Sequence, residues 1–202
     1  MIETTLLPPS QSFTGAKLPL KPMHVWGIRV RLQMENRLRD LALFDVALDS
    51  KLRGCDVVAL RISDLTSGGA LRRRGIVLQQ KTGRPVQFEI TDQTRRSIAK
   101  WLERRRSNTE DWLFPSRQAA EKDMSTRQYS RLVKRWVTLV GLEPAGYGTH
   151  SLRRTKVSLL YRKTGNLRAC QLLLGHTKLE STVRYLGVEL DDALQLSEAL
   201  EL

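Results

Sequence analysis

The sequence predicts an α+β domain that is mainly helical and carries one small antiparallel sheet. Apolar residues recur at helical spacing along much of the chain, and residues that cap helices precede several of these stretches. Two segments rich in β-forming residues, GIVLQQ and RPVQFEIT, flank Lys81-Thr82-Gly83 and indicate a strand, a turn and a strand. Because the chain has 202 residues, of which 41% are hydrophobic, it can bury one good core.

The chain divides into three predicted parts. Residues 1–22 contain four prolines and no sustained periodicity, which predicts an extended arm. Residues 23–188 hold the periodic segments and form the predicted domain, and residues 189–202 form an acidic tail that could be one more helix. The predicted helices of the domain cover residues 36–50, 56–60, about 92–105, 125–140, 150–162, 166–174 and 179–185, with Ser125 and Asn166 as N-caps.

Net charge is the strongest signal in the composition. The 34 Lys and Arg residues outnumber the 21 Asp and Glu residues by 13, and the last 14 residues hold five acids and no base, which leaves +18 on the first 188. The basic residues are interleaved with apolar positions that indicate folded structure. We therefore expect a folded surface that binds nucleic acid.

Other features of the composition narrow the class of protein. Cys55 and Cys170 are the two cysteines of the chain, and neither lies in a metal-ligand pattern, so a disulfide framework and structural zinc are not expected. No apolar run approaches the roughly 18 residues that span a bilayer, and the N-terminus lacks the layout of a secretory signal. We therefore expect a soluble, cytoplasmic protein without a role at a membrane.

Two local patterns carry chemically useful side chains. In THSLRRT, His150 lies three residues before Arg153, and in LLGHTKLESTVRYLGV, His176 lies nine residues before Tyr185. Each pattern alone is weak, because a His and an Arg on one helix are usually a surface pair and a Tyr near an apolar run is usually core.

Two further cations precede these patterns in the chain. Arg53 opens a short predicted helix three residues before Asp56, and Lys81 lies at the turn of the predicted hairpin. Cations suit chemistry at a phosphodiester, whose nonbridging oxygens are negative and gain charge in the transition state. Arginine stays charged and presents planar donors to phosphate oxygens, whereas histidine can donate to the same oxygens or transfer a proton. No carboxylate cluster is present to hold a metal, and we expect neither metal nor cofactor.

In this order, the set resembles the tyrosine recombinase (phage integrase) family over roughly residues 25–188. The members of the set are Arg53, Lys81, His150, Arg153, His176 after Gly175, and Tyr185. The resemblance implies a site-specific DNA recombinase in which Tyr185 forms a 3′-phosphotyrosine and frees a 5′-hydroxyl. It also implies that Lys81 is the general acid for the departing 5′-oxygen, that Asp56 buttresses Arg53, and that Thr182 belongs to the motif.

The resemblance also implies an assembly and shows departures. Double-stranded DNA is the expected partner, and a homo-tetramer on two DNA sites is expected, with a monomer or dimer when the protein is free. In the family, a segment after the tyrosine commonly docks into the neighbouring protomer, which would suit the acidic tail. Most members carry an N-terminal clamp domain, whereas this chain resembles the short, single-domain invertases. Arg154 stands where many relatives have a histidine.

Three other readings compete with a recombinase. Lys-Thr-Gly occurs twice, as in penicillin-binding enzymes, but Ser-Asp-Asn is missing and the strong positive charge has no purpose in that class. A catalytically silent DNA-binding accessory protein of the same fold and a type IB topoisomerase-like relaxing activity remain as alternatives.

Overall fold

The computed structural model describes residues 17–105, 111–119, 121–186 and 198. Its helices are α1 Pro22–Met34, α2 Leu38–Ser50, α3 Gly54–Val58, α4 Asp92–Arg105, α5 Thr126–Thr138, α6 Thr149–Thr164, α7 Leu167–Leu174 and α8 Leu179–Leu186. Its strands are β1 Thr66–Ser67, β2 Ala70–Leu71, β3 Arg74–Leu78 and β4 Pro85–Glu89, and two 3₁₀ turns cover Ile62–Asp64 and Pro144–Gly146. The predicted fold class, mainly helical with antiparallel strands, is confirmed.

The ends of the chain lie mostly outside the described residues. The acidic tail at residues 189–202 and the first 16 residues of the predicted arm belong to this part. Residues 17–21 have no regular secondary structure, but Leu20 is buried and its N–H donates to the Thr155 hydroxyl at 2.9 Å. The described end of the arm is therefore packed against α6.

The first helix was missing from the sequence-based prediction. Helix α1 begins at Pro22, whose fixed φ suits a first helical position. Its buried residues, Ile28 and Leu32, are four apart, but Arg29 and Arg31 lie between them and interrupt the apolar stripe. Packing against α2 therefore stabilises a helix whose own pattern is weak.

Strands β3 and β4 form the predicted hairpin. They pair antiparallel from Arg74 opposite Glu89 to Leu78 opposite Pro85. The turn between them is closed by the carbonyl oxygen of Gln79, which accepts the N–H groups of Thr82 and Gly83 at 3.2 and 2.8 Å. Lys81 lies in this turn, as the sequence predicts, and its side chain is exposed. A second hairpin, β1–β2, was not predicted, because strands of two residues leave almost no periodic signal.

Helix α2 is the centre of the main core. Its residues from Asp40 to Ser50 are all buried, and it packs against α1, α4 and α6. The ring of Phe44 meets Trp136 of α5 edge to face with centroids 5.6 Å apart, which fixes α5 against α2. A smaller cluster of Val157, Cys170 and Leu174 joins α6 to α7.

The second cluster determines where the last helix lies. Tyr185 and Leu186 of α8 pack against the Val157–Cys170–Leu174 cluster.

The predicted caps at Ser125 and Asn166 are confirmed, because their side chains accept the N–H groups of Gln128 and Ala169 at 3.1 and 2.8 Å. Within the described ranges, no helix is long and apolar enough to cross a bilayer.

Candidate active site

Arg153 is the most firmly held cation of the site. It lies in the second turn of α6, and 3% of it is exposed. Its Nη1 donates to the carbonyl oxygen of Lys51 at 2.5 Å and its Nη2 to that of Leu174 at 2.8 Å. The two carbonyls come from the ends of α2 and α7, so the guanidinium joins three helices.

Tyr185 lies beside this guanidinium. Its hydroxyl donates to the carbonyl oxygen of His150 at 3.4 Å. The Cζ atoms of Arg153 and Arg154 are 5.9 and 5.1 Å from the centroid of the Tyr185 ring. The ring of His176 meets it edge to face with centroids 5.5 Å apart. Helices α6 and α8 and the loop after α7 thus bring four predicted site residues together.

Burial raises the pKa of Tyr185 to about 12, although the charges of Arg153 and Arg154 oppose the rise. The phenol is therefore protonated at neutral pH and must lose its proton as it attacks. The same two cations would stabilise the phenolate once it forms.

The imidazole of His176 forms a hydrogen bond through its Nδ1 atom. Its Nδ1 is 3.1 Å from the hydroxyl of Thr182, which is fully buried. Burial, followed by the charges of Arg153 and Arg53, lowers the pKa of His176 to about 4, so the ring is neutral at pH 7. If Thr182 donates to Nδ1, then Nε2 carries the proton and donates, and the opposite tautomer makes Nε2 an acceptor.

The glycine before His176 is required by its surroundings. Gly175 ends α7 with φ of 63°, in the left-handed region that favours glycine. A Cβ atom there would lie 2.7 Å from Cγ2 of Val86 on β4. A close approach between α7 and β4 therefore explains the Gly-His pair of the sequence motif.

His150 and Lys81 lie at the exposed side of the cluster. Burial and the positive charges of Arg153 and Arg53 lower the pKa of His150, and Arg154 and Lys81 add smaller contributions. His150 is thus neutral at pH 7. Because Lys81 contributes to this pKa, the hairpin turn is within electrostatic reach of His150.

Arg53 is attached to the hairpin by a glutamine that the sequence did not single out. Arg53 precedes α3 as its N-cap residue, and its Nη1 donates to Oε1 of Gln79 at 2.7 Å. Gln79 is 1% exposed, and the same Oε1 accepts the hydroxyl of Thr82 at 3.0 Å. A polar residue at the end of a predicted strand was the available signal for this contact.

Asp56 bonds directly to the hairpin and supports Arg53 only indirectly. The resemblance implies that its carboxylate buttresses Arg53, but its Oδ1 accepts the backbone N–H of Gln80 at 2.9 Å. The support that Asp56 gives to Arg53 therefore passes through the Gln79–Gln80 segment. Arg53 and Asp56, at the start of α3, thus hold the hairpin at two adjacent residues.

An ionic cluster around the buried side chain of Lys51 was also absent from the prediction. Nζ of Lys51 donates to both carboxylate oxygens of Glu89 at 2.6 and 2.7 Å and to the carbonyl of Asp49 at 2.5 Å. Lys156 bridges Glu89 and Asp49 at 2.7 and 2.6 Å. A lysine that is 1% exposed is rare, so no sequence pattern indicates one at residue 51.

The assembled site presents cations, two neutral imidazoles and a phenol. Such a set can bind phosphate oxygens, transfer protons and supply an oxygen nucleophile. Within residues 17–105, 111–119, 121–186 and 198, no group of three or more His, Cys, Asp or Glu side chains lies close enough to hold a metal ion.

Comparison with known proteins gives the class of the chain. The model of the phage integrase family matches residues 30–190, which is most of the chain, so the chain belongs to that family. The family predicted from the sequence is thereby confirmed.

Curated relatives of the chain are named as recombinases or a probable integrase/recombinase. Tyrosine recombinase XerD of Rickettsia prowazekii (strain Madrid E) is 32% identical over 155 residues, which cover 71% of this chain and 49% of that protein. The probable integrase/recombinase YoeC of Bacillus subtilis (strain 168) is 28% identical over 153 residues, covering 76% of this chain and 80% of that protein. The chain therefore spans about half the length of XerD and most of the length of YoeC.

Solved structures share the fold. XerA recombinase superposes with a TM-score of 0.74 at 18% identity, covering 92% of this chain and 65% of that one. The Tn1549 transposon integrase in complex with transposon right end DNA gives a TM-score of 0.72 at 18% identity, covering 93% and 67%. XerH bound to its difH substrate before cleavage gives 0.70 at 20% identity, covering 90% and 54%.

Proposed function

We propose that the chain is a tyrosine-type site-specific DNA recombinase that cleaves and rejoins strands through a 3′-phosphotyrosine at Tyr185. The observation that carries the proposal is the position of the Tyr185 ring, within 6 Å of two arginine Cζ atoms and against the His176 ring. A tyrosine surrounded by phosphate-binding cations has the parts needed to attack a phosphodiester.

In the cleavage step, Oη of Tyr185 attacks the phosphorus, and a new oxygen–phosphorus bond forms as the bond to the 5′-oxygen breaks. Arg53 and Arg153 neutralise the nonbridging oxygens. The phenolic proton passes to a base, for which the neutral rings of His150 and His176 are the candidates. Lys81 gives a proton to the departing 5′-oxygen.

The step is reversible and needs no cofactor. The 5′-hydroxyl of a second strand attacks the phosphotyrosine, restores a phosphodiester and releases Tyr185, so the bond energy is retained without ATP. We expect the protein to do this in the cytoplasm on double-stranded DNA. Relatives solved with DNA, such as XerH on difH and the Tn1549 integrase, support DNA as the partner.

Strand exchange requires more than one active site. We propose a homo-tetramer on two DNA sites, assembled from free monomers or dimers, in which the acidic tail at residues 189–202 docks onto the neighbouring protomer. Five acids without a base in this tail favour a basic protein surface over DNA.

The proposal is tested with a nicked suicide DNA whose cleaved fragment diffuses away and traps the covalent complex. The wild-type chain should form a gel-stable protein–DNA adduct, and Tyr185→Phe should bind the DNA but form none. Tyr161→Phe on α6 is the matched control and should still form the adduct.

Other outcomes would favour other activities. If the wild-type chain binds DNA without an adduct on several candidate recombination sites, a silent accessory protein is the better description. If it relaxes supercoiled plasmid but never joins two sites, the topoisomerase-like activity replaces recombination.

A further inference from the structure

A cavity of about 200 Å³ lies at the start of α2, at the opposite end of that helix from Arg53. Its charged lining consists of Arg37, Arg39, Arg104, Arg117 and Asp40. Four arginines line the cavity with one carboxylate, and Arg37 also pairs with Glu35 beside it, which leaves an excess of positive charge around a small volume. Since α2 has 13 residues, the cavity and Arg53 are about 20 Å apart.

One arginine of the cavity has an unused hydrogen-bonding edge. Nε and Nη2 of Arg39 are buried and have no hydrogen-bond partner among the residues that the structure describes, although 11% of the side chain is exposed. These two groups form one planar edge of the guanidinium, whose spacing matches two oxygens of a phosphate or carboxylate. Because buried donors without a partner are unfavourable, this edge favours the binding of an oxyanion.

The carboxylate of the cavity does not fill this role. Oδ1 of Asp40 is 3.8 Å from Nε of Arg39, which is beyond hydrogen-bonding distance. The other oxygen of Asp40 accepts from Nη2 of Arg37 and from the indole N–H of Trp136. Asp40 is therefore engaged by other donors.

The helix adds to the positive field. Arg37 is the N-cap residue of α2 and its side chain makes no cap hydrogen bond, so the partial positive charge of the helix N-terminus adds to that of the arginines. Burial and the charge of Arg117 lower the pKa of Arg39, and Asp40 opposes this only in part. Arg37 forms ion pairs with Asp40 and Glu35, whereas the surroundings of Arg39 remain unfavourable for its charge.

We propose that this cavity binds an oxyanion of the phosphate class. Nε and Nη2 of Arg39 donate to two of its oxygens, and Arg104 and Arg117 contact it from the other sides of the cavity. The site is separate from the proposed active site and does not depend on it. The phosphate belongs either to the DNA backbone away from the cleaved bond or to a free phosphate compound. The second experiment below distinguishes these two sources.

The first experiment is a titration of the whole chain with inorganic phosphate, at constant ionic strength set with chloride. The side-chain Nε–H signal of Arg39 is followed by ¹H–¹⁵N NMR and assigned by its loss in Arg39→Gln. We expect this signal to move and saturate. Because a phosphate at Arg53 and Arg153 would give its own shifts, the Arg39 signal isolates the new site.

Exposed arginines provide variants that should fold. Arg117→Gln should weaken phosphate binding at the Arg39 signal about tenfold, since one charge-assisted contact is lost. Arg96→Gln, an exposed arginine on the same helix as Arg104, is the matched control and should leave the titration unchanged. If the Arg39 signal does not respond to phosphate, or responds equally in all variants, the proposal is wrong.

The second experiment identifies the source of the phosphate. The affinity for duplex DNA is measured against salt for the wild-type chain, Arg39→Gln and Arg117→Gln. If a DNA phosphate occupies the site, the slope of log affinity against log salt should fall by about 0.9 in both variants. An unchanged slope together with an intact phosphate titration in the wild type assigns the site to a free phosphate compound. Neither result depends on strand cleavage, so failure of the proposed recombinase activity would be seen separately.

Discussion

The guanidinium of Arg153 donates to the backbone carbonyl of Lys51 at 2.5 Å, and Lys51 adopts a left-handed conformation with φ of 53°. This conformation is unfavourable for a residue with a Cβ atom, by about 1–2 kcal/mol. The Lys51 side chain forms an ion pair with Glu89. We infer that this ionic cluster stabilises the left-handed conformation and positions the carbonyl that orients Arg153.

Lys51→Gly tests this inference, because glycine accepts the left-handed conformation without strain while the ion pair is lost. We expect the chain to fold, with a free energy of unfolding lower by about 1–3 kcal/mol. Cleavage of suicide DNA should slow by about tenfold to a hundredfold, because Arg153 is no longer held in one place. The measurement is the single-turnover rate at saturating protein.

A neutral methylphosphonate at the cleaved position separates positioning from loss of stability. That substrate has less need of an arginine, so Lys51→Gly should slow its cleavage much less than that of ordinary DNA. Arg29→Met, which removes the ion pair of Arg29 with buried Asp45 away from the site, should slow both substrates alike or neither. Equal slowing of both substrates by Lys51→Gly would rule out a positioning role.

Lys51 and Tyr185 differ in whether their role at the site could be predicted from the sequence. Arg153 and Tyr185 lie on predicted helices and His176 in the loop between α7 and α8, and all three belong to motifs with fixed spacing, so their order along the chain could be predicted. Lys51 could not be predicted, because its burial depends on Glu89 and Lys156, which come from β4 and α6. Contacts between distant segments leave no local pattern.

Helix α1 and the Arg39 cavity were missed for the same reason. The helix depends on packing against α2 rather than on its own apolar stripe. The cavity requires α2, α4 and the loop with Arg117 to meet. In the sequence, these arginines contribute only to the overall positive charge.

Gln79 should be needed for rapid DNA cleavage, because its amide oxygen accepts hydrogen bonds from both Arg53 and Thr82. Gln79→Leu keeps the volume similar but removes the acceptor, so both the phosphate contact of Arg53 and the position of the Lys81 turn should loosen. We expect single-turnover cleavage to slow at least about tenfold. Gln80→Leu is the control, since the side chain of Gln80 is exposed and its backbone N–H keeps the bond to Asp56.

Two substrates show how Gln79 acts. A methylphosphonate should rescue the part of the defect that passes through Arg53, and a 5′-sulfur leaving group should rescue the part that passes through Lys81. A defect that neither substrate relieves would mean that Gln79 has a purely structural role.

His176 should titrate near pH 4 in the free chain, because burial and the charges of Arg153 and Arg53 disfavour the imidazolium. Arg53→Gln removes one of these charges and should raise the pKa. Two-dimensional ¹H–¹⁵N NMR of the imidazole nitrogens measures it, with His24 as the control that Arg53→Gln leaves unchanged. A pKa near 6.5 in the wild type would contradict the proposed environment.

The same shift has a consequence for stability. Between about pH 6.5 and 4, the unfolded chain protonates this histidine while the folded chain does not, so His176 lowers the stability of the fold as the pH falls through that window. His176→Gln should remove this contribution and make stability less dependent on pH there. Urea denaturation at pH 7 and pH 4.5 measures the difference.

The effect of replacing Lys81 on the cleavage rate should depend on the leaving group of the substrate. Its side chain is exposed on the turn between β3 and β4, and we propose that it protonates the departing 5′-oxygen. Lys81→Ala should slow cleavage of ordinary DNA by about a hundredfold or more, which is typical for loss of a general acid. A 5′-sulfur leaves without a proton, so cleavage of that substrate should be nearly unaffected.

Arg84→Ala is the control for Lys81→Ala, because Arg84 is an exposed cation on the same hairpin. It should slow both substrates equally if it contacts DNA only through charge. If Lys81→Ala slows both substrates alike while Arg84→Ala spares the sulfur substrate, the general acid is Arg84 and the assignment of Lys81 is wrong.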